Sequence, residues 1–240
     1  MAELIGPINF TFIMFTLPQK LHPPPNSSTS LLGTGLPLNQ ELLFSLYLLH
    51  YANRAIISPL IFAPSMSPIH IWMVMFMAVY QFMNSSCLAS WLVYSYDTAG
   101  PAFPTSPSLL ALGVFLFGMI GNIAAEHTLF DLRRGAAKRK AKSEGKAQIT
   151  FDKVYVIPPA NGWFKYMLYP HYVLEWLEWT GYWLLGGSLA LGWKTPALWF
   201  VLSEIITMGQ RALNGKKWYT EKFGKRAVGK RGSVSSISWL

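Results

Sequence analysis

Cysteine is nearly missing from this chain. Cys87 stands alone among 240 residues, so neither an intrachain disulfide nor a cysteine-rich metal site can form. Charge is scarce too. Asp, Glu, Lys and Arg make up 13% of the residues against 52% hydrophobic, too little charge for an ordinary water-soluble domain. Acids are scarcest, 11 against 20 Lys and Arg, which leaves a formal charge of +9. The bases gather in two blocks, RRGAAKRKAKSEGK (133–146) and KKWYTEKFGKRAVGKR (216–231). Such blocks beside apolar runs suit positive-inside determinants or lipid-headgroup contacts better than nucleic acid. Neither GxGxxG nor GxxxxGK[ST] occurs, which excludes the common phosphate loops, and the lack of HExxH argues against a catalytic zinc. The N-terminus has no basic segment followed by an apolar core and a small-residue cleavage site, so no cleavable signal peptide is expected.

What the chain does have is long apolar runs. A bilayer core about 30 Å thick calls for about 20 apolar residues per helix, and such runs fall at 41–62, 69–94, 107–130, 170–191 and 196–213, with a shorter one at 4–17. The expected fold is all-α, a polytopic transmembrane helix bundle of about six membrane segments forming one domain over 1–240. The Pro/Ser/Gly-rich stretch 18–40 is expected to be a mobile lumenal loop, 132–152 a basic cytosolic loop and 214–240 a basic cytosolic tail. With both basic blocks cytosolic, 95–106 faces the lumen and Met1 the cytosol, and Asn26-Ser-Ser is a sequon on the lumenal side.

Polar residues interrupt these runs at helical spacing. In PHYVLEWLEWTGYWLL (170–185), His171, Glu175, Glu178 and Tyr182 fall on one stripe; Asn122, Glu126 and Arg133 share another; Glu204 and Arg211 lie seven apart; His50, Tyr51 and Arg54 cluster within one turn. An unpaired carboxylate in lipid costs several kcal/mol, so Glu175 and Glu178 must face partners or a polar cavity. One reading is a set of structural ion pairs and interfacial anchors. The other is a wet ligand cavity between helices.

Four blocks, LHYANR (49–54), GNIAAEHTLFDLRR (121–134), YVIPPANGWFKYMLYPHYVLEWLEWTGY (155–182) and RALNGKKWYTEKFGKR (211–226), taken in this order, resemble the steroid 5α-reductase family of membrane-embedded NADPH-dependent enzymes. The resemblance implies a helix bundle in the endoplasmic reticulum membrane that binds NADPH from the cytosolic side and a hydrophobic enone from the bilayer. It assigns catalysis to Tyr51 and Glu3, which hold the substrate carbonyl and assist its protonation, supported by His50 and Arg54. It assigns NADPH binding to Asn122, Glu126, Arg133, Tyr155, His171, Glu175, Arg211 and Tyr219, and involves no metal. Implied partners are a lipid or steroid substrate and membrane lipids, with no nucleic acid.

The sequence departs from the family at several points. Glu126 replaces an Asp, Phe130 a basic residue and Gly215 a polar one, the C-terminus SSISWL lacks the usual Pro-containing segment, and Met1 stands two residues before Glu3 where members carry a further helix. The expected reaction is saturation of a C=C bond conjugated to a carbonyl, in a 3-oxo-Δ4 steroid. The alternatives are an enoyl-thioester or polyprenol-type reductase and an inactive truncated relative. A membrane S-adenosylmethionine-dependent methyltransferase fits less well, because 214–232 holds only one acid, Glu221.

Overall fold

The computed structural model describes residues 2–21, 30–65, 68–96, 103–187 and 192–234. Among them the structure is helical and contains no β-strand: α1 (Ile5–Thr16), α2 (Leu38–Tyr51) running into a π-helix (Ala52–Phe62), α3 (Ile71–Tyr94), α4 (Ser106–Ser143), α5 (Pro170–Leu185), α6 (Pro196–Phe223) and the single turn α7 (Lys225–Val228). Each of the six apolar runs is helical over most of its described residues. Proline marks several starts: Pro37 precedes α2, and Pro170 and Pro196 open α5 and α6, where the missing N–H has no intrahelical acceptor to lose.

Two helices, α3 and α4, are long and apolar enough to cross a membrane. α3 spans about 36 Å at 1.5 Å per residue and exposes Ile71, Trp72, Met73, Phe76, Val79, Phe82 and Met83. This helix is apolar on its outer face, the reverse of a surface helix in water. The other four runs are too short or too charged to meet the same standard. α5 has 16 residues with two glutamates, and α6 turns polar after Met208.

Sequence and structure differ on the basic segment after residue 131. It was expected to be a loop over 132–152, yet α4 continues through it to Ser143. Alanines and long unbranched basic side chains are strong helix formers, and Ala137 and Ala141 are buried along this extension. Within the stretch expected to be loose at 18–40, Pro18–Lys20 forms a 3-10 helix and residues 30–34 are held in place. The Glu41 carboxylate accepts hydrogen bonds from Ser30 Oγ, Leu31 N, Leu32 N and Thr34 Oγ1 at 2.6–3.0 Å. The sequon at Asn26 lies outside the described residues.

The chain divides into two compact units, each discontinuous in sequence. The first comprises Met1–Ile61, Ser67–Leu116 and Trp179–Val201. Its interior is aromatic: Phe10 stacks on Phe44 and Tyr47, while Trp179 meets Tyr47, His50, Tyr182 and Phe200. Asn9 ties α1 to α3 by donating to Ser85 Oγ and Ser86 Oγ at 2.8 Å. Gly181 brings α5 against α4, since a β-carbon there would lie 2.8 Å from Ala111 O.

The second unit comprises Phe62–Met66, Phe117–Glu178 and Leu202–Leu240. Ala125, Phe164 and Leu174 form its core with Leu129 packed alongside. α4 and α5 touch backbone to backbone here too: a β-carbon on Gly118 would lie 2.6 Å from Leu174 O and collide with the Glu178 amide. Gly224, at φ 84°, ends α6 in the left-handed conformation. The chain that follows returns to 166–169, where Leu168 N donates to Gly232 O and Tyr169 N to Ser233 O. Arg231 fixes this return. Its buried guanidinium donates to the carbonyls of Val228, Pro158, Phe164 and Ala227.

Candidate functional site

In the first unit, α2 delivers His50 and Tyr51 as buried residues, and the π-helix delivers Arg54. The i→i+5 register begins at Ala52, immediately after Tyr51, and runs past Pro59, which has no N–H to give an α-helical ladder. π segments of this kind recur at functional sites. His50 packs on Trp179 with ring centroids 4.5 Å apart. Glu3 lies 3.7 Å from Arg54 Nε.

The Tyr51 hydroxyl donates to Gln81 Oε1 of α3 at 3.0 Å. Gln81 has its place because Gly6 leaves it open: a β-carbon on Gly6 would sit 2.6 Å from Gln81 Oε1 and 3.0 Å from the Tyr47 hydroxyl. Tyr51 also lines a cavity of about 400 Å³ whose other walls are apolar apart from Thr11, among them Leu4, Ile8, Leu48, Ala52 and Ile56. The result is a single positioned phenol at the edge of an apolar pocket, with an amide behind it. The sequence singles out Tyr51, Glu3 and Arg54 but not Gln81, which the structure sets against the Tyr51 hydroxyl. The available signal was its amide in a helix otherwise dominated by apolar residues.

In the second unit, Asn122 Nδ2 on α4 donates to Glu175 Oε2 on α5 at 3.3 Å, and both residues are buried. This pair answers in part how a glutamate sits in an apolar helix. Glu178, one turn further on, is fully buried. His171 meets Tyr169 and Tyr172, Tyr169 meets Tyr219, and Tyr219 meets Trp218, which packs on Tyr155. An aromatic chain thus links Tyr155, Tyr219 and His171, with the charge of Arg211 close enough to act on Tyr169. Burial pushes the Tyr169 and Tyr219 hydroxyls above the usual phenol range, so both remain protonated donors at neutral pH. Arg133 Nη2 reaches Phe151 O at 3.5 Å, its guanidinium over the Phe151 ring. Glu126 is half-buried on α4.

Asn122 Oδ1 and Arg133 Nε are among the buried polar atoms here that lack a hydrogen-bond partner among the described residues. A buried orphan costs about 1–3 kcal/mol. One of these atoms wants a donor and the other an acceptor, and a nucleotide supplies both through hydroxyls or amide and phosphate oxygens. The residues present therefore fit a dinucleotide cofactor. Gly215, where a polar residue was expected, has its own explanation: a side chain there would collide with the Tyr169 hydroxyl.

Comparison with known proteins places these features. A family model described as 3-oxo-5-alpha-steroid 4-dehydrogenase matches residues 65–231. That range contains Asn122, Glu175, Arg211 and the other proposed cofactor residues; Glu3, His50, Tyr51 and Arg54 lie before it. The chain is 34% identical over 242 residues to an uncharacterized protein of Schizosaccharomyces pombe, covering 98% of this chain and 81% of that one. It is 30% identical over 186 residues to 3-oxo-5-alpha-steroid 4-dehydrogenase 1 of Bos taurus, covering 76% of this chain and 62% of the relative. A steroid 5-alpha-reductase of Arabidopsis thaliana is 30% identical over 190 residues, with 76% and 63% covered. The chain thus spans less than two thirds of the length of these last two relatives.

Proposed function

The chain belongs to the 3-oxo-5-alpha-steroid 4-dehydrogenase family, a family of oxidoreductases, and from this premise we propose that it reduces a C=C bond conjugated to a carbonyl in a membrane lipid, a 3-oxo-Δ4 steroid being the leading substrate class. NADPH is the proposed reductant, the protein a multi-pass resident of the endoplasmic reticulum membrane, and its helices a polytopic bundle. The observation that carries the reading is the Tyr51 hydroxyl at the edge of the apolar cavity, held by Gln81. An enone is largely apolar with one strong acceptor, and this pocket offers apolar walls with one positioned donor.

NADPH, when bound, supplies the hydride for the β-carbon. Asn122, Glu126, Arg133, Tyr155, His171, Glu175, Arg211 and Tyr219 are assigned to hold it: the two arginines as planar forks for phosphate, Asn122 and Glu175 as a buried amide and carboxylate for polar groups of the nicotinamide half. Tyr51 turns its proton from Gln81 to the substrate carbonyl oxygen, where negative charge collects as the β-carbon is reduced. The Gln81 amide can then rotate to donate an N–H to the phenol oxygen. Glu3, set by Arg54, is assigned to orient the carbonyl end and assist its protonation.

The direct test follows NADPH oxidation by the purified chain in nanodiscs, with testosterone, progesterone and a long-chain enoyl thioester supplied separately. Enone-dependent oxidation supports the reading and its product names the substrate class, whereas NADPH binding without turnover on any of them overturns it. Arg211→Ala is expected to weaken NADPH binding by roughly tenfold to a hundredfold, the worth of one charge-assisted hydrogen bond. An unchanged dissociation constant removes Arg211 from the cofactor site. Gln81→Leu is expected to lower kcat by about tenfold, near 1.4 kcal/mol, with NADPH affinity intact. Equal turnover in the variant would detach Gln81 from the work of Tyr51.

A further inference from the structure

The second unit carries a separate cavity of about 370 Å³ between the turn at 160–166 and the return segment 226–231. Its charged lining is all of one sign: Lys165, Arg226, Lys230 and Arg231, with no acidic residue among the walls. Arg231 is 6% exposed. It spends its N–H groups on main-chain carbonyls, which satisfy hydrogen bonds but leave the charge itself unneutralised by any carboxylate among the described residues. Lys165, Arg226 and Lys230 form no salt bridge among the described residues. Four positive charges around one concavity, one of them buried, focus a field that favours a doubly charged anion.

The surroundings choose among anions. Trp163 and Tyr166 flank Lys165 in sequence and are 47% and 54% exposed, the amphipathic aromatics that settle at the headgroup level of a bilayer. Tyr166 lines the cavity itself, and a soluble phosphate has no use for exposed indole and phenol rings beside its site; a lipid does. We propose that this cavity is a binding site for the phosphate-monoester headgroup of an anionic lipid, with Lys165, Arg226 and Lys230 contacting the phosphate and the Trp163 and Tyr166 rings lying against the upper acyl chain. The site is independent of the reductase assignment.

The test titrates dioctanoyl phosphatidic acid into the full chain in neutral detergent by calorimetry, with dioctanoyl phosphatidylcholine, inorganic phosphate and NADPH as parallel arms. Saturable binding of the phosphatidic acid, absent for phosphatidylcholine and much weaker for inorganic phosphate, is expected. Combining K165Q, R226Q and K230Q is expected to cost roughly a hundredfold in affinity, about a factor of five for each cation removed near a lipid surface, with the thermal unfolding midpoint in detergent alone unchanged. If the triple variant does not fold, K165Q alone should show the fivefold loss. Wild-type affinity in these variants, equal binding of phosphatidylcholine or inorganic phosphate, or displacement of the lipid by NADPH would each overturn the proposal.

Discussion

Tyr51→Phe is expected to lower kcat by roughly 10²- to 10³-fold, the usual cost of deleting one donor aimed at a developing oxyanion, while NADPH affinity stays within error of wild type. The substitution removes one oxygen and keeps the ring that packs on Tyr47 and Trp179. Apolar packing therefore survives, and the loss falls on the transition state rather than on the fold. One structural side effect is foreseeable. Gln81 Oε1 loses its donor, but the residue is only half-buried, so the cost falls below the about 1–3 kcal/mol of a fully buried orphan and the unfolding midpoint should drop only slightly. Activity must accordingly be referred to the folded fraction. A parallel loss of NADPH affinity and turnover would place Tyr51 in the cofactor site instead, and full activity would remove it from catalysis.

Gly118→Val is expected to be the most damaging single substitution for the fold. Overpacking a core costs typically about 1–3 kcal/mol because neighbouring side chains can still shift. At Gly118 the obstacle is the α5 backbone itself, Leu174 O and the Glu178 amide, which cannot rotate out of the way. The two helices must part, and the 3.3 Å bond between Asn122 and Glu175, one turn along each, parts with them. Loss of folded yield and loss of NADPH binding should therefore arrive together. Gly113 supplies the control on the same helix. A β-carbon there meets nothing within 4 Å, so Gly113→Ala should be neutral or stabilising by up to about 1 kcal/mol. If both substitutions behave alike, the close crossing of α4 and α5 is not what Gly118 provides.

Sequence patterning located the helices well, because runs of apolar residues bounded by Pro and Gly leave little choice of element. It also marked Asn122 and Glu175 on the polar stripes of two helices, though not as a pair, and the structure brings the two into contact. Three things were hidden. The length of α4 was masked because charge was read as loop, although alanine and lysine favour helix whatever their solvent. Gln81 was hidden because it sits with Asn84 in the middle of a long, mostly apolar helix and belongs to none of the resemblance blocks. The docking of 226–233 on 158–169 was hidden because its bonds run from one guanidinium to carbonyl oxygens, and carbonyls carry no sequence signature. Of the six membrane segments expected, two helices among the described residues, α3 and α4, are long and apolar enough to cross a membrane, which is consistent with a polytopic bundle.

The Arg231 bonds also set an order of events during synthesis. Phe164 and Pro158 leave the ribosome long before their partner, which follows 67 and 73 residues later, so their carbonyls must rest on water until the return segment emerges. The second unit therefore completes late, and truncation of a reading frame before codon 231 would release a chain whose helices are intact but whose 158–166 segment is unfastened. Protease sensitivity at 158–166 would then report, clone by clone, whether the end of the message had been read.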